Sequence, residues 1–200
     1  FDYITDDRFA VTGGSLKKLD DVFYLAGGHK FEGRYNPMNG PSFTQTYTEK
    51  VSRFIPTLTS TGIQVEWLPE FSDQALLHRR DLNVVEGIDA NGDMNFTLFS
   101  GVFQQVADLP FTNCVEVNSN GIAEVPEFQH LLNQYHSGHI SLYDAQSQKQ
   151  HYLFLGGISE YYYEGDVLTQ NIDVPFTKNI ACVTRDINNQ WVEELNLSLM

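Results

Sequence analysis

Basic residues are scarce in this chain of 200 residues: 12 Lys and Arg stand against 26 Asp and Glu, a formal net charge of -14 at pH 7. Such a surface repels phosphate backbones, and Lys17-Lys18 and Arg79-Arg80 are isolated pairs rather than a patch. Both facts argue against nucleic-acid binding. Cysteine is nearly absent too. Cys114 and Cys182 allow one internal disulfide at most, and neither lies in a CxxC, so two buried thiols in strands are the plain reading. No apolar run reaches the roughly 18 residues that a membrane-spanning helix needs. No signal peptide is visible, and the chain starts at Phe1 without methionine, which suggests a processed or trimmed N-terminus. The six histidines show no HExxH or other zinc spacing. No glycine-rich phosphate loop follows a strand and opens a helix.

What is present is repetition. "VFYLAGG" at 22–28, "FTLFSG" at 96–101 and "YLFLGG" at 152–157 are strand-forming runs that each end in a small-residue pair. A further strand candidate precedes each: "RFAVTGG" from 8, "RRDLNVVEG" from 79 and "HISLYD" from 139. The third element is "PSFTQTYTEKVSRFI" from 41, "PFTNCVEV" from 110 and "PFTKNIACVTRD" from 175, with Phe43, Phe111 and Phe176 spaced by 68 and 65 residues. The fourth is "IQVEWLPEF" from 63, "IAEVPEF" from 122 and, more loosely, "WVEELNL" from 191. Enrichment in Val, Ile, Phe, Tyr and Thr makes each run a strand. Helical periodicity is weak. Its best candidate is "EFQHLLNQY" at 127–135, read either as a short helix or as a strand leading into a loop.

Three successive units of four antiparallel strands predict an all-β chain of three four-stranded blades, as in a β-propeller. The second strands, "VFYLAGGHKFEGRY" and "HYLFLGGISEYYY", resemble kelch repeats, in which a hydrophobic strand precedes a double glycine and aromatic residues come after it. As a group the elements are similar to secreted or surface proteins of Bacteroidota-type bacteria. The resemblance implies a single kelch-like β-propeller region over 1–200, with blades near 7–71, 76–128 and 136–200. Three blades are too few for a ring, so the expectation is a part of a larger propeller, with "FDYITD" as the last strand of a preceding blade, or a ring completed by blades from another subunit. It further implies a non-enzymatic scaffold, secreted or at the cell surface, that binds a protein or a glycan. The alternatives are a carbohydrate-directed or copper-radical oxidase-like propeller enzyme and a structural subunit of a secretion or adhesion assembly.

Candidate chemistry is sparse. The pairs Asp6-Asp7, Asp20-Asp21 and Glu193-Glu194 read as turns or solvated faces, and none is nominated as catalytic. "DANGDMN" places oxygen ligands at Asp89, Asn91, Asp93 and Asn95, the opening of a calcium loop. Met94 then stands where glycine is required and Ser100 where the bidentate Glu is required. A plain acidic hairpin on Asn91-Gly92 is therefore the first reading. No cofactor is expected, with weak calcium binding at Asp89, Asn91 and Asp93 as the alternative. The expected ligand or partner surface comprises His29, Arg34 and Tyr35 after the first glycine pair, His78 and Arg79 at the start of the second unit, and Tyr161, Tyr162 and Tyr163 after the last pair. The tyrosines divide between packing and recognition, because strand alternation sends the middle ring to the opposite side. "NFT" at 95–97 and "NLS" at 196–198 match glycosylation acceptors.

Overall fold

The structure, a computed structural model, describes residues 2–35 and 42–198, with side chains described as far as residue 194. The chain divides into two compact units, Phe1–Arg80 and Asp81–Met200. The first unit contains β1 (Ser15–Leu19), β2 (Val22–Ala26), β3 (His29–Gly33), β4 (Phe43–Tyr47), β5 (Lys50–Thr59) and β6 (Gly62–Ser72), then the one-turn helix α1 (Gln74–Leu77). Four of these strands form an antiparallel sheet in the order β1-β2-β5-β6, and β3 pairs with β4 as a separate hairpin inserted between β2 and β5. Aromatic side chains fill one face of the sheet. Phe54 lies 5.0 Å from Phe9 and 5.1 Å from Trp67, and the Arg8 guanidinium covers the Trp67 ring at 4.1 Å.

The second unit contains β7 (Asn83–Ile88), β8 (Met94–Phe99), β9 (Val115–Val117), β10 (Ile122–Glu124), β11 (Gly138–Asp144), β12 (Lys149–Ile158), β13 (Tyr161–Glu164), β14 (Val167–Gln170), β15 (Phe176–Arg185) and β16 (Trp191–Ser198). They build the sheets β7-β8-β9-β10 and β11-β12-β15-β16, with β13-β14 as a separate hairpin. Period-2 alternation along β12 buries Gln150, Tyr152 and Phe154. The two rings meet Val85, Phe99, Cys114, Ala181 and Val183 in a core shared by both sheets. Truncating a buried aromatic of this kind to alanine costs roughly 3–5 kcal/mol. Both cysteines are buried and free, and burial pushes the Cys182 thiol above its ordinary pKa.

The architecture corrects the propeller expectation. There are five separate antiparallel sheets, and none closes into a ring among the described residues, so the kelch-like resemblance does not hold. The propeller scaffold, the propeller oxidase and the propeller-subunit readings lose their premise with it. Strand repetition in a sequence encodes antiparallel neighbours within a sheet and does not fix how successive sheets are arranged. The sheets here end at β1, β6, β7, β10, β11 and β16. The repeated glycines have a local cause instead. Gly27, Gly28, Gly156 and Gly157 have φ of 62, 85, 66 and 105°, and Ser100-Gly101 repeats the pattern at 53 and 91°. Left-handed backbone turns the chain at each second strand. Close approach adds to this, since a Cβ on Gly28 would lie 2.7 Å from the Gly14 nitrogen, and one on Gly157 2.7 Å from the Tyr135 oxygen.

Smaller expectations change as well. "RFAVTGG" is not a strand: Asp6 accepts the Arg8 backbone N–H at 2.9 Å and opens a 3-10 turn over Asp7–Phe9. The first strand is "SLKKL", which lacks aromatic and β-branched residues. No strand forms over residues 2–6. "PSFTQTYTEKVSRFI" is two strands, β4 and β5, broken where Glu49 takes φ 52°. Its opening Pro41 lies outside the described residues. Residues 127–135 form turns rather than a helix, with Glu127 and Asn133 at φ 58 and 35°.

Candidate functional site

The β3-β4 hairpin starts directly after Gly28, and antiparallel register sets His29 opposite Tyr47, Phe31 opposite Gln45 and Gly33 opposite Phe43. Opposed residues share a face. Phe31 therefore stacks on Phe43 at 5.1 Å, Tyr35 lies 5.6 Å from Phe43, and the His29 ring sits 5.9 Å from Tyr47. On the other side of β3, Thr12 exchanges backbone hydrogen bonds with His29 at 2.9 and 3.0 Å. An open depression of about 510 Å³ results, lined by Thr12, His29, Phe31, Tyr35, Gln45 and Arg80. Behind it, the His78 ring stacks on Tyr47 at 4.0 Å, and its Nδ1 lies 2.6 Å from Glu49 Oε1. Gln74 donates to the same carboxylate oxygen at 3.2 Å, and Arg80 Nε donates to the Tyr47 hydroxyl at 3.3 Å. Carboxylate, imidazole, phenol and guanidinium thus form one chain of contacts that holds the hairpin's base.

Of the nominated residues in this unit, His29 and Tyr35 line the depression and His78 stands one ring behind it. Tyr35 is 67% exposed, whereas His29 is buried. Arg34 is exposed at the hairpin's end, where its backbone N–H donates to Ser42 at 3.1 Å. Arg79 does not belong to a surface. It is fully buried, and its carbonyl accepts the Gly28 N–H at 2.8 Å, so it secures the glycine turn. Sequence reasoning did not nominate Thr12, Gln45 or Arg80. The alternation in "FTQTY" and the adjacency of Arg80 to His78 were the available signals.

In the second unit, Tyr161 and Tyr163 pack against the core cluster. Tyr162 and Tyr163 line a depression of about 650 Å³ together with Glu164, Phe176, Lys178 and Asn179. The Asn179 side chain holds the hairpin there, accepting the Tyr163 N–H at 2.7 Å and donating to the Tyr163 carbonyl at 3.2 Å. Glu193 is not on a solvated face: it accepts the backbone N–H groups of Leu131 and Leu132 and lies 2.9 Å from Nδ1 of the buried His130.

A third concavity, about 270 Å³, is lined by Asp89, Asn95, Glu116, Asn118 and Asn120, among others. Asp89 Oδ1 accepts the Asn91 and Asp93 backbone N–H groups at 2.8 and 2.9 Å, so "DANGD" is an Asx-stabilised hairpin turn. Asn91 and Asp93 are exposed and stand outside the cup. Asn95 is buried and donates from Nδ2 to Glu116 Oε1 at 2.9 Å, which removes the 95–97 triplet from the glycosylation acceptors of the folded chain. The side chains of 196–198 lie outside the described ones. Burial raises the pKa of Glu116 and the Asp89 charge adds to this, while the Asn95 hydrogen bond and Arg185 oppose it.

Among the described residues, no group of three or more His, Cys, Asp and Glu is gathered as a metal site, and no helix is long and apolar enough to cross a membrane. No protein-family model matches the chain, and comparison with curated proteins gives no match.

Proposed function

We propose that the chain is an all-β glycan-binding module that holds a saccharide in the depression of its first unit without turning it over. The observation that carries this reading is the row Tyr35–Phe43–Phe31, set beside Gln45, Thr12 and Arg80 on one open surface. Aromatic faces cover the apolar C–H surface of a sugar ring and contribute large contact area at low entropy cost. An amide, a hydroxyl and a guanidinium supply the donors and acceptors that sugar hydroxyls require. Cross-strand pairing and the Glu49–His78–Tyr47–Arg80 chain hold the hairpin before a ligand arrives, which lowers the cost of binding. The reading rests on these side chains and on no property of a ring.

The test is a glycan microarray probed with the labelled chain, followed by calorimetric titration with the oligosaccharide giving the strongest signal. Tyr35→Ala and Gln45→Ala are each expected to weaken binding by about tenfold. Tyr162→Ala, on the other hairpin, leaves it unchanged, and mass spectrometry recovers the oligosaccharide intact. A blank array, or a Tyr35→Ala variant that binds like the parent, sinks the proposal. Conversion of the oligosaccharide sinks its non-catalytic half.

A further inference from the structure

The sheet β11-β12-β15-β16 is apolar on both faces. Tyr152 and Phe154 of β12 turn into the core. Leu153 and Leu155 alternate to the other side, where register aligns them with the neighbouring strands. One row there runs Ile140–Leu153–Cys182, and the next runs from Leu142 through His151 to Val192. An antiparallel sheet that turns one face to water alternates apolar with polar residues, whereas a strand covered on both faces is apolar throughout. β12 follows the second pattern. So does β8, where the run "FTLF" is buried on both faces. Around β12, however, the second face is open: Ile140 is 45% exposed, Leu142 and Val192 are each 53% exposed, and Leu153 and Leu155 are half-buried.

We propose that this face packs on the same face of a second copy of the chain, giving a two-fold dimer built sheet on sheet. The area supports that occupant. Four strands spaced about 4.8 Å apart, and seven residues of β11 at about 3.3 Å each, give a flat footprint of roughly 19 by 23 Å. Protruding side chains enlarge it, so two copies together remove on the order of 1,000 Å² from water, the threshold of a specific interface. Charge points the same way. The chain has 26 acidic residues, yet Glu194, opposite Cys182, is the one carboxylate among the described residues of these rows. Copies of so acidic a chain repel one another over most of their surface and approach most easily where the carboxylates are few. A second copy also brings a sheet face of equal size and equal lack of charge. No residue lining the saccharide depression belongs to this sheet.

The test is sedimentation velocity on the chain from about 1 μM to 1 mM, with thermal melts alongside. A monomer–dimer equilibrium is expected, with Kd about 1–100 μM and a melting temperature that rises with protein concentration. Leu142→Glu and Val192→Glu, at exposed positions that the monomer tolerates, each bury an unpaired carboxylate on both sides of the interface. Each is expected to weaken association at least about 100-fold. Val167→Glu, on β14 and outside the face, replaces a side chain that is 66% exposed and leaves association unchanged. Circular dichroism establishes that each variant folds. Three results overturn the proposal: a chain that stays monomeric up to about 1 mM, well above the expected range; a dimer that both face variants keep; or a dimer that Val167→Glu disrupts as strongly as they do. A monomeric chain whose face is covered by a different protein overturns it in the same way.

Discussion

The β3-β4 and β13-β14 hairpins occupy the same place in their sheets, between the second and third strands of a four-stranded antiparallel meander. A left-handed Gly-Gly pair precedes each. Beyond the glycines the two diverge. In "HKFEG" the rings of Phe31 and, beyond the strand, Tyr35 pack on Phe43 of the hairpin itself, and both residues line an open depression. In "YYYE" the alternation presses Tyr161 and Tyr163 onto the core, and Tyr162 is left to the outer side. One backbone device therefore yields an open aromatic face where rings pack within the hairpin, and a core staple where they pack beneath it. The hairpin residues decide which, not the glycines.

If the turn is the shared part, breaking it damages both hairpins. Gly28→Ala and Gly157→Ala force a Cβ into left-handed backbone and against backbone atoms at 2.7 Å. Each is expected to cost about 2–4 kcal/mol, measured by urea denaturation. A loss confined to one position would end the claim that the pairs are equivalent. The next effect separates what the hairpins do. Tyr163→Ala removes a ring from the core cluster and costs about 1–3 kcal/mol. Tyr35→Ala, at 67% exposure, stays within about 0.5 kcal/mol of the parent while weakening saccharide binding about tenfold. Equal destabilisation by both would show that the first hairpin is a core element too.

The sequence makes the strands of the second unit legible because their alternation is carried by aromatic and β-branched residues. "YLFLGG" and "FTLFSG" are found at β12 and β8. It hides β1, because "SLKKL" has no such marker, and it merges β4 with β5, because the break rests on the backbone angle of Glu49. Ring closure was not legible, since repetition specifies neighbours within a sheet and is silent about its outer edges. At the candidate site, residues adjacent to the glycine turn were visible, namely His29 and Tyr35. Gln45 and Arg80 were not, because they reach the depression through register and through the segment after α1. Glu116 and Asn95 are 21 residues apart, and only the β8-β9 pairing joins them. Arg79 looked like a surface cation and is buried, a distinction that spacing cannot draw.

The smallest effect contrasts one carboxylate from each unit. Asp6 is held at about 2 by the hydrogen bonds from the Arg8 side chain and backbone, below its ordinary 3.8. Glu116 is raised above its ordinary 4.5 by burial, with the Asp89 charge adding to it. The signs are opposite. Folding holds the Asp6 carboxylate in its ionised form, so its contribution is present above about 3.8 and fades as pH falls through about 2. Folding favours the protonated Glu116, so that contribution is complete below 4.5 and fades as pH rises through the raised folded value. Urea denaturation against pH in chelator is expected to show both limbs, with Asp6→Asn flattening the acid one and Glu116→Gln the other. Carboxyl NMR titration checks the assignment. An Asp6 that titrates at 3.8 would dissolve its link to Arg8, and a Glu116 that titrates at or below 4.5 would mean the cup is wetter than its burial implies.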